Sequence, residues 1–221
     1  MTIDIIPTVV PKTLGDVLTA KNRYKNFTQS LHIDVGDGNL APNKTWIPQK
    51  GETLDDESVL FEAHLMVSNP RDIGIAFVSA GAKRIIAHLE GFQNTAEIPE
   101  ILDAYRKNGA IEVGLAMLLQ TDLEAIAPFI AICDVVLLMT IARVGVQGIP
   151  FDSQGIERVA RVHARFPTAT LAVDGGVSER NIAILAKAGA ERFCVGSMLA
   201  KSGDPEKTHA VLVELGKGAI Q

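Results

Sequence analysis

The stretch from Thr170 to Ser197 reads TLAVDGGVSERNIAILAKAGAERFCVGS, and its punctuation decides the fold. A short apolar run, Thr170–Asp174, ends on Gly175-Gly176. Ser178-Glu179-Arg180-Asn181 opens a helical segment that Ala188-Gly189-Ala190 stops at a glycine. A second apolar run, Arg192–Gly196, follows. Strand, helical segment and strand in this order form a βαβ unit with parallel strands. The same alternation extends towards the N-terminus. Candidate strands are Ile3–Val10, Ser30–Val35, Glu62–Val67, Arg84–Glu90, Glu112–Leu118 and Val135–Ile141. Most are near-continuous apolar runs, the pattern of strands covered on both faces. Between and after them, Pro70-Arg71-Asp72, Thr121-Asp122-Leu123-Glu124 and Asp204-Pro205-Glu206-Lys207 read as helix starts. Eight β/α units in 221 residues predict an α/β fold, a (β/α)8 TIM barrel. A doubly wound sheet usually has only ~5–6 strands. No linker or low-complexity segment interrupts the pattern, so residues 1–221 are expected to form a single domain.

Composition narrows the function. Apolar residues make up 47% and charged residues 21%, which excludes a mainly disordered chain. A net charge of −5 with 5% aromatics offers neither the basic footprint nor the stacking surface of a nucleic-acid binder. Cys133 and Cys194 lie far apart in apolar surroundings, without zinc-ribbon or C-x-x-C spacing, which suits a reducing compartment. The start Met1-Thr2-Ile3-Asp4 has an acid where a secretory signal has basic residues. The longest apolar stretch, Ala127 to Ala142, is broken by Pro128 and Asp134 and falls short of the ~20 residues of a membrane span. A soluble cytoplasmic protein with no membrane or nucleic-acid partner is expected.

In such barrels the functional groups gather at the C-terminal strand ends. His32 and Asp34 close the second strand, two apart and therefore on one side of it. His64 lies on the third strand, and Asp174 ends the seventh. Two imidazoles and two carboxylates at one barrel mouth suit Zn²⁺, Fe²⁺, Mn²⁺ or Co²⁺. Any one of these residues alone reads as a hydrogen-bonded core group or a helix cap. An H-x-D pair with apolar flanks is harder to dismiss, because an unpartnered buried charge costs several kcal/mol. His88 and Glu90 repeat the spacing on the fourth strand, as direct or supporting groups. Met66 and Met139 read as core filler that gains interest only at the mouth, and His163 and His209 as solvated helix residues. Glycine supplies a second constellation. Gly175 and Gly176 after strand seven, and Gly196-Ser197 after strand eight, lie where barrels often seat a phosphate. Gly145 and Gly148, after strand six, are placed to add further amides.

Read together, these motifs resemble the ribulose-phosphate 3-epimerase family over nearly the whole chain. The resemblance is carried by His32-Ile33-Asp34-Val35 with Asp37-Gly38 and Pro42-Asn43, and by His64-Leu65-Met66-Val67 with Asn69-Pro70. Met139-Thr140, Val173-Asp174-Gly175-Gly176 and Gly196-Ser197 complete it. It implies a divalent metal held by His32, Asp34, His64 and Asp174, with Asp34 and Asp174 as catalytic acid and base. It also implies phosphate binding around Gly176, Gly196 and Ser197, contact of Thr8, His64 and Met66 with substrate, and a homo-oligomer. Epimerisation at C3 of a ketose phosphate, D-ribulose 5-phosphate to D-xylulose 5-phosphate, is the activity so implied. The chain departs from the family pattern at Gly36 (Met in the family), at Asn39 (His) and at Leu119-Gln120 (Asn-Pro). It departs again in the loop Ala142-Arg143-Val144-Gly145-Val146-Gln147-Gly148, which is one residue longer. That loop keeps open a hexulose-phosphate 3-epimerase, for example on allulose 6-phosphate. A non-catalytic sugar-phosphate-binding barrel is an alternative from another class, which the intact His32, Asp34, His64 and Asp174 set argues against. A lyase or decarboxylase on a related barrel is disfavoured because none of the expected strands ends in Lys.

Overall fold

The computed structural model describes residues 2–54, 58–146 and 148–220. Eight parallel strands close on themselves in sequence order. They are β1 (Asp4–Val9), β2 (Ser30–Gly36), β3 (Leu60–Met66), β4 (Arg84–His88), β5 (Glu112–Met117), β6 (Val135–Met139), β7 (Leu171–Asp174) and β8 (Arg192–Val195). Every expected strand is present, with ends shifted by one or two residues.

Alternation along the strands separates two cores. One set of side chains points outward, and Ile33, Phe61, Leu65, Ile85, Leu138 and Phe193 from it pack beneath the helices, fully buried. The other set fills the barrel, where Met66, Ile86, Ala116, Leu137, Met139, Ala172 and Cys194 form a separate apolar cluster. The register places like with like across neighbouring strands. Thr8 pairs with His32, Asp34 with His64, and Met139 with Asp174, all on inward positions near the C-terminal ends.

The helices follow their caps. α1 (Leu14–Tyr24) starts at Thr13, whose hydroxyl and the Asp16 carboxylate satisfy each other's backbone N–H groups. α2 (Pro70–Ser79) and α3 (Ile98–Lys107) both carry proline in the first turn. α4 (Leu123–Ile126) is short, and Pro128 lies in the 3₁₀ stretch that follows it to Ile132. α5 (Gln154–Arg165), α6 (Ile182–Lys187), α7 (Ser197–Ala200) and α8 (Pro205–Gly218) complete the jacket. Asp204 caps α8 through Lys207 N–H, as its sequence suggests. α6 begins later than Ser178, because the Asn181 side chain accepts from Ser178 N–H and ties the preceding turn.

Two expectations need correction. The regular alternation fails between β2 and β3, where the described residues contain no helix. Pro42, Pro48 and Gly51 break that segment. Trp46 anchors it instead, edge-on to Phe77 at 5.5 Å and donating from Nε1 to Glu52. His163 and His209 are half-buried, not solvated. His209 Nε2 lies 3.1 Å from the Ile5 carbonyl, and the His163 ring packs over Gly189. Among the described residues, no helix is long and apolar enough to cross a membrane.

Candidate active site

His32 and Asp34 lie on one side of β2, and β3 brings His64 level with Asp34. Asp174 closes the cluster from the end of β7. One ligand-type atom from each of these four residues lies within 4.8 Å of the other three. His64 Nδ1 is 3.1 Å from Asp34 Oδ1 and 3.7 Å from Asp174 Oδ2, and His32 Nε2 is 3.4 Å from Asp34 Oδ1. Both histidines are fully buried, and the Nε2 atoms of both lack a hydrogen bond. A buried polar atom without a partner is costly unless something coordinates it. A cation with bonds of ~2.1 Å spans donors up to ~4 Å apart, so these three separations, the mixed nitrogen and oxygen donors and the orphaned Nε2 of His32 fit a divalent transition metal.

The two carboxyls differ in acidity. Burial opposes ionisation of Asp34, but the hydrogen bond from His64 and the nearness of both imidazoles outweigh it and hold its carboxyl far below the usual range. Burial, and then the charge of Asp34, push Asp174 up to about 6. Carboxyls whose environments drive their pKa values apart are suited to opposite acid–base roles.

A cavity opens above the cluster. Thr8, Asp34, Met66, Gly145, Gly148, Asp174, Gly175, Gly176, Gly196 and Ser197 line it, each proposed from sequence. His32 and His64 sit deeper. Gly175 and Gly176 have φ of +116° and +65°, a conformation that favours glycine. A Cβ at position 176 would also stand 2.7 Å from the Phe151 nitrogen, so the rim is tight there. Gly145 has φ +79°, and its missing side chain leaves room for Ala41 and Asn43, which seats the strand-six loop against the segment after β2. Arg143 in that loop is exposed and does not line the cavity. Met139, Ile141, Ile149 and Val177 give the mouth an apolar wall.

Behind the cluster lies a layer of which the sequence singles out only His88 and Glu90. Glu62 Oε1 accepts from His32 Nδ1 at 2.5 Å, and Glu62 Oε2 accepts from Arg84 at 2.7 Å. Arg84 also donates to Glu112, which accepts from Arg192 at 2.5 Å. Burial opposes the charge of Glu62, but His32 and Arg84 hold its carboxyl down at about 2. His88 supports the cluster without entering it. Its ring stacks on His64 at 4.9 Å, and its Nδ1 hydrogen-bonds Glu90, which in turn accepts from Leu118 N–H and the Thr121 hydroxyl. The signal for this layer was present in the i, i+2 spacing of Glu62 and His64, which sets both inside the barrel.

Acid–base groups at the C-terminal mouth, over a closed parallel barrel, define an enzyme of the (β/α)8 class. Residues 9–200 match the ribulose-phosphate 3 epimerase family, to which the chain belongs, and it is accordingly an isomerase of the epimerase type. It is similar to the ribulose-phosphate 3-epimerase of Chlamydia muridarum, with 35% identity over 211 residues covering 92% of this chain and 90% of the relative. It is similar also to that of Aquifex aeolicus, with 34% identity over 198 residues and 86% of each chain covered. Among solved structures, 3-hexulose-6-phosphate synthase from Salmonella typhimurium shares the fold, with a TM-score of 0.70 at 15% identity, covering 98% of this chain and all of that one.

Proposed function

We propose that this enzyme epimerises C3 of a ketose phosphate and that its substrate pair is D-ribulose 5-phosphate and D-xylulose 5-phosphate. The observation that carries the proposal is the convergence of His32, Asp34, His64 and Asp174 beneath the cavity, in surroundings that drive the acidities of the two carboxyls apart. Epimerisation next to a carbonyl removes a proton from one face of the carbon and returns one to the other. Asp34 and Asp174, from β2 and β7, reach the cavity from separate strands. In one direction the ionised Asp34 takes the C3 proton, and the protonated Asp174 delivers its own to the opposite face. In the reverse direction the roles exchange, and positioned transfer of this kind contributes ~10²–10⁴-fold. His32, Asp34, His64 and Asp174 would hold a divalent cation (Zn, Fe, Mn or Co). Bound there, it supplies Lewis-acid stabilisation of negative charge developing on the substrate oxygens. Met66, Met139 and Ile141 give that end of the cavity an apolar lining, which strengthens the electrostatics beside it.

The phosphate is assigned to the rim formed by Gly175, Gly176, Gly196 and Ser197, together with Gly145 and Gly148. Gly176 lets the backbone approach an oxygen closely. Thr8 offers a hydroxyl to the sugar. The test is exchange of the C3 proton with deuterated solvent, followed by NMR over a panel of ketose phosphates that includes allulose 6-phosphate. Exchange and inversion fastest with D-ribulose 5-phosphate support the assignment. Preference for the six-carbon sugar transfers it to a hexulose phosphate, and no exchange with any member overturns it.

A further inference from the structure

Glu62 is fully buried inside the barrel, outside the four-residue cluster, yet in contact with one member of it. Its two oxygens are committed in opposite directions, one to His32 Nδ1 and the other to Arg84. Arg84 has only N–H groups to offer, so the oxygen facing it must be an acceptor. Ionised Glu62 likewise only accepts, so the hydrogen between it and His32 sits on Nδ1. That leaves Nε2, the nitrogen nearer Asp34, pointing at the cluster without a hydrogen bond. Arg84 is itself fixed by Glu112, and Glu112 by Arg192, so the carboxylate behind His32 is braced across the floor of the barrel. Among the described residues, His64 has no such carboxylate behind it. Its Nδ1 already faces Asp34, and the His88 ring fixes its plane by stacking at an interplanar angle of 26°.

From this geometry we infer that Glu62 is a positioning residue: braced by Arg84, it fixes the proton and ring plane of His32 so that Nε2 is presented to the cluster as a ligand. The inference rests on the reading of His32 as a metal ligand given above. Cys194 Sγ is 3.3 Å from the same Nδ1, but a thiol is a weak acceptor and does not compete with a carboxylate at 2.5 Å.

Glu62→Gln makes the inference testable with almost no change in shape. The amide must turn its oxygen to Arg84, which places its NH₂ against His32 Nδ1. Nδ1 then has to accept, and the proton moves to Nε2. The first measurement is a long-range ¹H–¹⁵N spectrum of the full chain, labelled at histidine and dialysed against chelator. Nδ1 of His32 is expected to be protonated in the wild type and unprotonated in Glu62→Gln. The second is titration with Co²⁺ alone, read by its visible absorption. The dissociation constant is expected to rise ~10–100-fold in the variant, the usual cost of losing an outer partner of a ligating histidine. An unprotonated Nδ1 in the wild type overturns the inference, and this reading does not depend on the variant folding. So does a variant that keeps Nδ1 protonated and binds Co²⁺ within about twofold of wild type. A wild type that takes up no Co²⁺ defeats the metal reading instead, and the nitrogen spectra then still decide the role of Glu62.

Discussion

Asp174→Asn separates chemistry from folding, because the two effects run in opposite directions. The carboxyl is pushed from 3.8 up to about 6 by burial and by the neighbouring charge of Asp34. A raised acid binds its proton more tightly in the folded state, so stability falls as pH rises from about 4 to 6 and stays reduced above that. At 1.36 kcal/mol per pH unit the cost of ionising Asp174 reaches ~3 kcal/mol above pH 6. Asparagine carries no charge at any pH. The chelator-treated variant should therefore be more stable than wild type by up to ~3 kcal/mol at pH 8 in urea unfolding, by roughly half that at pH 5, and not at all below pH 4. The same variant should lose ~10²–10⁴-fold in exchange of the C3 proton with deuterated solvent, or ~3–5 kcal/mol of barrier. A stability gain that is equal at pH 5 and pH 8 refutes the electrostatic account. Undiminished exchange in the variant removes Asp174 from the chemistry.

Three further outcomes are expected. Replacing His32 and His64 together by alanine should abolish stoichiometric Zn²⁺ or Co²⁺ uptake measured by elemental analysis, and unchanged uptake would place a metal elsewhere. Gly176→Ala forces a side chain into a φ of +65° beside the Phe151 backbone, so KM for the phosphorylated ketose should rise while KM for the dephosphorylated sugar does not; equal effects on both would contradict a phosphate at this rim. Gly74→Ala would drive a methyl into the buried Tyr105 ring, whose hydroxyl donates to the Pro70 carbonyl at 2.8 Å. That overpacking should lower stability by ~1–3 kcal/mol in spite of alanine's better helix propensity, and a neutral result in thermal unfolding would show that α2 and α3 can part freely.

Much of this architecture is legible along the chain, for a physical reason. Parallel strands buried on both faces need unbroken apolar runs, and a barrel places its chemistry at the end of each run, so His32, Asp34, His64 and Asp174 stand out as polar residues where apolar ones are due. Thr13 and Asp16 form a capping box that marks α1 equally well, although the strand pattern draws attention away from it. The segment between β2 and β3 is harder, since Trp46 holds it by packing rather than by any periodic pattern. Glu62, Arg84, Glu112 and Arg192 stay hidden for a different reason. A charge near the start of a strand reads as solvent-exposed, and only the register that sets Glu62 beside Arg84, and Arg84 beside Glu112, shows that they neutralise one another indoors. The half-burial of His163 and His209 is hidden similarly, because the surfaces that cover them, Gly189 and Phe27, are remote in sequence.

The interlocked charges across the floor of the barrel also set the direction of traffic. Glu62, Arg84, Glu112 and Arg192 fill the lumen below His32, so the cylinder works as a cup rather than a tube. Sugar arrives and leaves over one lip, and each turnover must clear that lip before the next begins. A compound that merely plugs the rim between Gly145 and Gly176 is then expected to stop the enzyme without touching His32, Asp34, His64 or Asp174.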